Sequence, residues 1–275
     1  MDSMVNIKRN KVKEINKFKK EMTWEQKANE NPLFAIMSDN IFEDKSKEFD
    51  AYDLVTFYKR GKSLWKWFFS DLVDEDNVSS PKTVLEFGCG MGRLLANPAL
   101  MGYKCIGLDI SETQLELARE HFPVKENTRF LKVDSKKQFE LPAESVDIIY
   151  SYAVFQHIKY LSDFYFSLGE LTRVLKKGGL IRIQFRAPNK YTTKFKSFGF
   201  KTYNFEKSSI IFYWKKFLGL AVPVIRLYRH NHWGGAGCFV SEKSIIKFLE
   251  KKGLKIKTIQ FYVDGQQMIL ITGQK

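Results

Sequence analysis

The chain is short of several things, and each shortage closes off a class of protein. It holds three cysteines in 275 residues, Cys89, Cys105 and Cys238. They are odd in number and lack metal-ligand spacing, so neither a disulfide scaffold nor a zinc module is expected. Seven prolines and 17 glycines are too few for a fibrous or low-complexity chain. No run approaches the 18 or so uncharged apolar residues of a spanning helix. The start, MDSMVNIKRN, lacks the apolar stretch of a signal peptide, and a reduced, cytoplasmic setting is expected. The most telling shortage is of acids late in the chain. Residues 181–275 carry 18 basic side chains against four acidic, a net of +14 that equals the charge of the whole protein. Residues 1–80 sum to −1 and residues 81–180 to +1. That distribution excludes a uniformly basic, histone-like protein and points to one basic face.

What is there begins with a strand–helix rhythm. The first 20 residues (+5) read as a frayed basic arm. A helix-like piece lies around 31–38, and Tyr52 to Val73 has helical apolar spacing. After a loop at 74–81, short β-rich runs over 83–87, 104–108, 129–133, 146–151 and 180–185 alternate with helical stretches. Ser111 and Gln114 form an S-x-x-Q capping box. Lys176-Lys177-Gly178-Gly179 reads as the basic end and glycine stop of a helix over 163–175. A last helix at 241–252 precedes two strands, 257–263 and 267–272, joined at Asp264-Gly265, which is a hairpin signal. The pattern predicts a doubly wound α/β fold, mostly parallel, with an antiparallel last strand. Three parts are expected: a helical N-terminal arm or lid (1–79), a core (80–186 and 239–275), and an insertion after the fifth strand (187–238).

The chemistry concentrates at strand ends. Glu86-x-Gly88-x-Gly90-x-Gly92 sits between a strand and a helix, where glycines allow a tight turn and the helix start offers N–H groups to a ligand. The dinucleotide fingerprint fails here, because the position three beyond Gly90 is Arg93. Asp109 ends the second strand, placed to accept the hydroxyls of a ribose, and Asp134 ends the third, placed to accept from an exocyclic amine. Either acid alone reads as a helix or turn cap; together with the loop they read as a ligand crevice.

These residues resemble the class I S-adenosylmethionine-dependent methyltransferases. The likeness is carried by VLEFGCGMGR (84–93), GLDIS (107–111), VDS (133–135), VDIIYSYAVFQHI (146–158) and LKKGGLIRIQF (175–185). It covers about residues 80–186 and 240–275, and implies a Rossmann-like, seven-stranded sheet whose last strand is antiparallel. It also implies that Glu86, Gly88, Gly90, Gly92 and Arg93 surround the methionine end of S-adenosyl-L-methionine. Asp109 would hold the ribose, with Ile110 also at the cofactor, Asp134 and Ser135 around the adenine, and Ser151 near the methionine amino group. Trp24-Glu25-x-x-Ala28, Asn31-Pro32-Leu33 and Phe57-Tyr58-x-x-Gly61 resemble bacterial members linked to surface-glycan and small-metabolite pathways.

Methyl transfer is an alignment problem, and a hydroxyl acceptor also needs its proton removed. His157, six residues past Ser151, is the candidate base; its bland reading is a packing residue of the next helix. His121 reads as a surface residue. His230 and His232 have too few companions for a metal site, so no metal is expected. Residues 186–238 hold ten basic side chains, one acid and twelve aromatics. The bland reading of that text is a cap with a solvated basic side. As an acceptor cap it offers Arg186, Arg229, His232 and Trp233, with Tyr58 from the N-terminal part. An anionic small molecule or surface-glycan intermediate, phosphate- or nucleotide-bearing, suits the charge. Association with a membrane surface is open for 210–228. Nucleic acid is the less favoured partner: the rest of the chain is near neutral, and neither an Asn-Pro-Pro-Tyr-type motif nor a Pro-Cys pair is present. Two rivals remain, an RNA methyltransferase and a non-catalytic cofactor-binding subunit.

Overall fold

The computed structural model describes residues 22–37, 49–73, 82–134, 136–186, 202–204, 240–264 and 266–275. Among the described residues, three helices precede the sheet. Thr23 caps α1 (Trp24–Glu30) through a reciprocal box with Gln26, and Pro32, whose missing N–H costs nothing at a first helical position, opens α2 (Pro32–Met37). Asp50 and Asp53 make a second box at the start of α3 (Ala51–Phe68). This helix buries Phe57, Gly61 and Trp65, which share one face at four-residue spacing, and ends in a 3-10 turn, Ser70–Leu72.

The sheet comprises β1 (Thr83–Phe87), β2 (Lys104–Asp109), β3 (Thr128–Lys132), β4 (Val146–Ser151), β5 (Leu175–Arg186), β6 (Thr202–Asn204), β7 (Lys255–Asp264) and β8 (Gln266–Gln274). Helices α4 (Ala96–Leu100), α5 (Glu112–His121), α6 (Leu161–Val174) and α7 (Glu242–Lys251) connect them. The spatial order is β3-β2-β1-β4-β5-β8-β7-β6. The first five strands pair in parallel, while β8 runs antiparallel between β5 and β7. The expected seven strands and closing hairpin are therefore present. An eighth, β6, comes from the insertion and adds three residues antiparallel to β7. A helical cap was expected at 187–238, and apart from this strand that stretch lies outside the described residues.

Alternating side chains of the strands feed two cores. Leu85, Ile149 and Ile183 meet α6 and α7 on one face; Val84, Cys105 and Tyr150 meet α3, α4 and α5 on the other. Burial on both faces is what a mainly parallel sheet covered by helices requires. A third, small cluster joins Leu33 of α2, Phe57 of α3 and Met91 of the loop after β1.

One local reading is corrected. Helix α6 stops at Val174, and Leu175 already pairs with Val146 of β4, five residues before the expected strand start. The next pair is Ile148 with Leu180, so 176–179 form a bulge. Gly178 has φ +78, and a Cβ on Gly179 would stand 2.8 Å from the Asp147 carbonyl oxygen. The glycines serve the bulge and not a helix stop. Lys176 closes it with an ion pair to Asp147 at 2.8 Å.

Candidate cofactor-binding site

The strand order reverses between β1 and β4, and open α/β sheets bind ligands outside the carboxyl ends of the strands at such a point. The loop leaving β1 is fixed there. Gly88 and Cys89 both donate to Leu108 O of β2, at 2.7 and 3.0 Å. Gly88 has φ +74, and a Cβ on it would lie 2.1 Å from Val154 Cγ2, so both the turn and the close approach demand glycine.

Asp109 holds this loop from the side. Its Oδ2 accepts from Gly90 N–H at 2.7 Å, and its Oδ1 from Ser111 N–H at 2.9 Å. Burial pushes the carboxyl up, opposed by these N–H bonds. Each carboxylate oxygen keeps a second lone pair, so accepting a diol is compatible with pinning the loop. Ile110 beside it is half exposed. Ser151 Oγ donates to Phe87 O at 2.9 Å and staples the end of β4 to the end of β1. Asp134 is exposed and caps its own turn, accepting from Lys136 N–H at 2.9 Å. It is brought toward Asp109 because Val133 N–H donates to Asp109 O. Ser135 lies outside the described residues.

Two of the expected site residues, and one expected cap residue, make bonds within the protein. Glu86 is buried on the α3/α4 face, accepting from the Tyr150 hydroxyl at 3.2 Å and from Leu95 N–H. Burial pushes its carboxyl up to about 8, against the pull of neighbouring Arg93. These bonds tie the end of β1 to β4 and to the segment entering α4. Tyr58, expected beside the acceptor, donates to Met91 O at 3.2 Å and His121 O at 3.4 Å, tying α3 to the loop. Gln114 was expected to complete the α5 cap. Ser111 does cap α5, but the Gln114 amide donates to Pro32 O at 3.0 Å instead.

Arg93 is buried, its guanidinium 5.9 Å from the Phe57 ring, and its Nε has no hydrogen-bond partner among the described residues. His157 lies in a 3-10 turn, Phe155–His157, just past β4. It is half-buried, its Nε2 3.2 Å from the Gln156 amide nitrogen and its ring edge-on to Trp24 at 5.0 Å. Arg186 ends β5, half-buried and paired with Met268. Arg229, His232 and Trp233 lie outside the described residues. Sequence reasoning missed Ala153 and Gln184. Ala153 turns at φ +59, unusual for a non-glycine residue, and its N–H is held by the buried Gln184 Oε1. Nothing in a run such as SYAVF marks a left-handed alanine.

The described residues contain no group of three His, Cys, Asp or Glu side chains able to hold a metal. An open cavity of about 420 Å³, lined by Thr83, Lys104, Thr128 and Leu141, lies at the opposite, N-terminal edge of the sheet, away from the acids just described. The cleft itself suits an adenosyl amino acid. It offers a half-buried carboxylate that pins a glycine turn, and a buried guanidinium nitrogen without a hydrogen-bond partner among the described residues.

Comparison with known proteins agrees. Residues 85–183 match the methyltransferase domain family model. The mitochondrial ubiquinone biosynthesis O-methyltransferase of Schizosaccharomyces pombe is 27% identical over 144 residues, covering 46% of this chain and 52% of that protein. The demethylmenaquinone methyltransferase of Staphylococcus aureus is also 27% identical over 144 residues, covering 51% and 56%. The chain thus spans about half the length of the curated relatives it matches. A SAM-dependent methyltransferase structure from Methanosarcina mazei superposes with a TM-score of 0.53 at 17% identity, covering 74% of this chain and 95% of that one, and so shares the fold. Residues 85–183, which hold the glycine loop and the acid that pins it, thus match the methyltransferase domain family, and the chain shares the fold of S-adenosylmethionine-dependent methyltransferase structures.

Proposed function

We propose that the protein O-methylates a small, negatively charged acceptor, a phosphate- or nucleotide-bearing metabolite or a surface-glycan intermediate. The observation that carries the reading is that the Asp109-pinned glycine loop and His157 follow the carboxyl ends of adjacent strands, β1 and β4. When bound, S-adenosylmethionine supplies an electrophilic methyl group on a sulfonium. Asp109 accepts the ribose hydroxyls, the loop N–H groups and Arg93 face the amino-acid end, and Ser151 keeps the β1 and β4 ends together. His157 takes the proton of the acceptor hydroxyl as its oxygen is methylated. The insertion, residues 187–238, supplies positive charge for the acceptor, with Arg186 at its root.

The charge supports an anionic acceptor, since residues 186–238 carry a net +9 while the first 180 residues sum to zero. The named relatives act in quinone pathways, which favours a small molecule over a polymer. Twelve aromatics in the same basic stretch keep RNA as the second reading; its affinity would fall steeply with salt.

Calorimetry with S-adenosylhomocysteine tests the cofactor site. Wild type binds, and Asp109→Ala weakens binding by about tenfold or more, since a hydrogen-bonded charge is lost. Undiminished binding would remove Asp109 from the site. A methyl-release screen over sugar nucleotides, phosphorylated metabolites and RNA identifies the acceptor. With that acceptor, His157→Ala lowers turnover at neutral pH about a hundredfold, and full turnover would dismiss it as the base.

A further inference from the structure

The segment that precedes the sheet reaches both walls of the cleft. Glu25 of α1 sits on the first turn of α5, beside Asp109. Its Oε2 accepts from Ser111 Oγ at 2.7 Å, and its Oε1 accepts from Thr113 Oγ1 at 2.6 Å and Thr113 N–H at 3.3 Å. A carboxylate there meets unsatisfied N–H groups and the positive end of a ten-residue helix. Desolvation raises the Glu25 pKa, yet the bonds from Thr113 and Ser111 leave it below its ordinary value, so the side chain is held as a carboxylate. Pro32 O, accepting from Gln114, fixes the start of α2 to the same helix. From there α2 crosses the glycine loop, and Ile36 Cδ1 stands 2.8 Å from where a Cβ on Gly90 would be. At the other wall Trp24 meets His157 edge-on, with Lys27 Nζ 4.2 Å over its ring. Ala28 and Leu33, which link these points, are buried.

We propose that residues 22–37 are a cover on the cofactor cleft and that Glu25 is the positioning residue that latches it. The inference rests on the cofactor reading of the cleft. A segment attached at Ser111, Thr113 and Gln114 on one side, and touching His157 on the other, must detach for the cofactor to exchange. Glu25 touches neither cofactor nor acceptor; it sets how long the cofactor stays and where Trp24 stands relative to His157. The same three bonds explain why the carboxylate is long. Aspartate, one methylene shorter, would not reach Ser111 and Thr113 from the same backbone position.

The test is the dissociation rate of S-adenosylhomocysteine from the full chain, chased with excess S-adenosylmethionine. Glu25→Ala should raise that rate by about tenfold, because charge-assisted bonds are lost. Glu25→Gln, which keeps one carbonyl oxygen as acceptor, should fall between. Thr113→Val should give a smaller rise that does not add to that of Glu25→Ala, as expected of groups sharing one contact. A second readout needs no ligand chemistry: trypsin cleavage after the buried Lys27 should be slowed by S-adenosylhomocysteine in wild type and much less in Glu25→Ala. A purely architectural glutamate would lower the melting temperature and leave the dissociation rate unchanged; that result overturns the proposal. If wild type fails to bind S-adenosylhomocysteine, the cofactor reading falls and the cover with it. If binding is normal but neither the rate nor the protection responds to Glu25→Ala, only the cover falls.

Discussion

The floor and the roof of the cleft are built by different means. In the floor, polar groups are satisfied close by: Glu86 by Tyr150 of the adjacent strand, Ser151 by Phe87 O, Asp109 by Gly90 and Ser111. Every one of these partners belongs to β1, β2, β4 or their exits. The polar attachments of the roof, residues 22–37 with α3, run instead to a helix and a loop outside the sheet: Glu25 and Pro32 O to the start of α5, and the Tyr58 hydroxyl to Met91 O and His121 O. The difference teaches where rigidity and exchange reside. Breaking the floor should cost the fold, whereas loosening the roof should cost ligand residence first.

The sharpest break is at Gly88. In Gly88→Ala the new Cβ meets Val154 at 2.1 Å and the residue must hold φ +74. Left-handed strain costs about 1–2 kcal/mol and overpacking about 1–3 more, for roughly 2–5 kcal/mol in all. Gly178→Ala is the matched control, for Gly178 has φ +78 with nothing within 4 Å of its Cβ position. It should lose only the strain, about 1–2 kcal/mol. Thermal unfolding of both variants separates the two causes, and equal losses would show that Val154 simply moves aside.

Next in size is a pH effect, also in the floor. Glu86 has an ordinary value of 4.5 and is pushed up to about 8 by burial. The folded protein therefore holds a proton that the unfolded chain releases. Stability from this group is complete below about pH 4.5, declines as pH rises, and is lost by about pH 8. Glu86→Gln keeps a neutral side chain able to accept from Tyr150, so its melting temperature should exceed that of wild type near pH 8 and approach it near pH 5. A difference of the opposite sign would mean that Arg93 keeps Glu86 ionised.

What could be read from the sequence divides along the same line. The five parallel strands, the Asp264-Gly265 hairpin and the Ser111 cap follow from patterns within ten residues, where apolar alternation and cap chemistry act directly. The glycine loop with Asp109 was legible because the constraint is local: a tight turn beside a strand end. Misreadings came where a local signal served a distant partner. Gly178-Gly179 has the form of a helix stop, but Asp147 and Lys275 claim it for a bulge. The Gln114 of a good capping box was drawn off by Pro32 O, 82 positions away. Glu25 carried no visible role because its partners lie 86 and 88 positions on.

Tyr58 gives the smallest effect and the cleanest decision between floor-facing and acceptor-facing roles. As an acceptor contact it would stabilise nothing in the free protein, and Tyr58→Phe would leave unfolding unchanged while reducing turnover. As a tie between α3 and the loop, its hydroxyl donates to Met91 O and His121 O, and the variant should lose about 0.5–1.5 kcal/mol. For a chain of this size that is a fall of about 1–3 °C in melting temperature. S-adenosylhomocysteine affinity should change little, because the aromatic ring still packs on Phe57 and Phe122. A lowered melting temperature with retained affinity places Tyr58 in the joint between roof and floor; an unchanged melting temperature with lost turnover returns it to the acceptor.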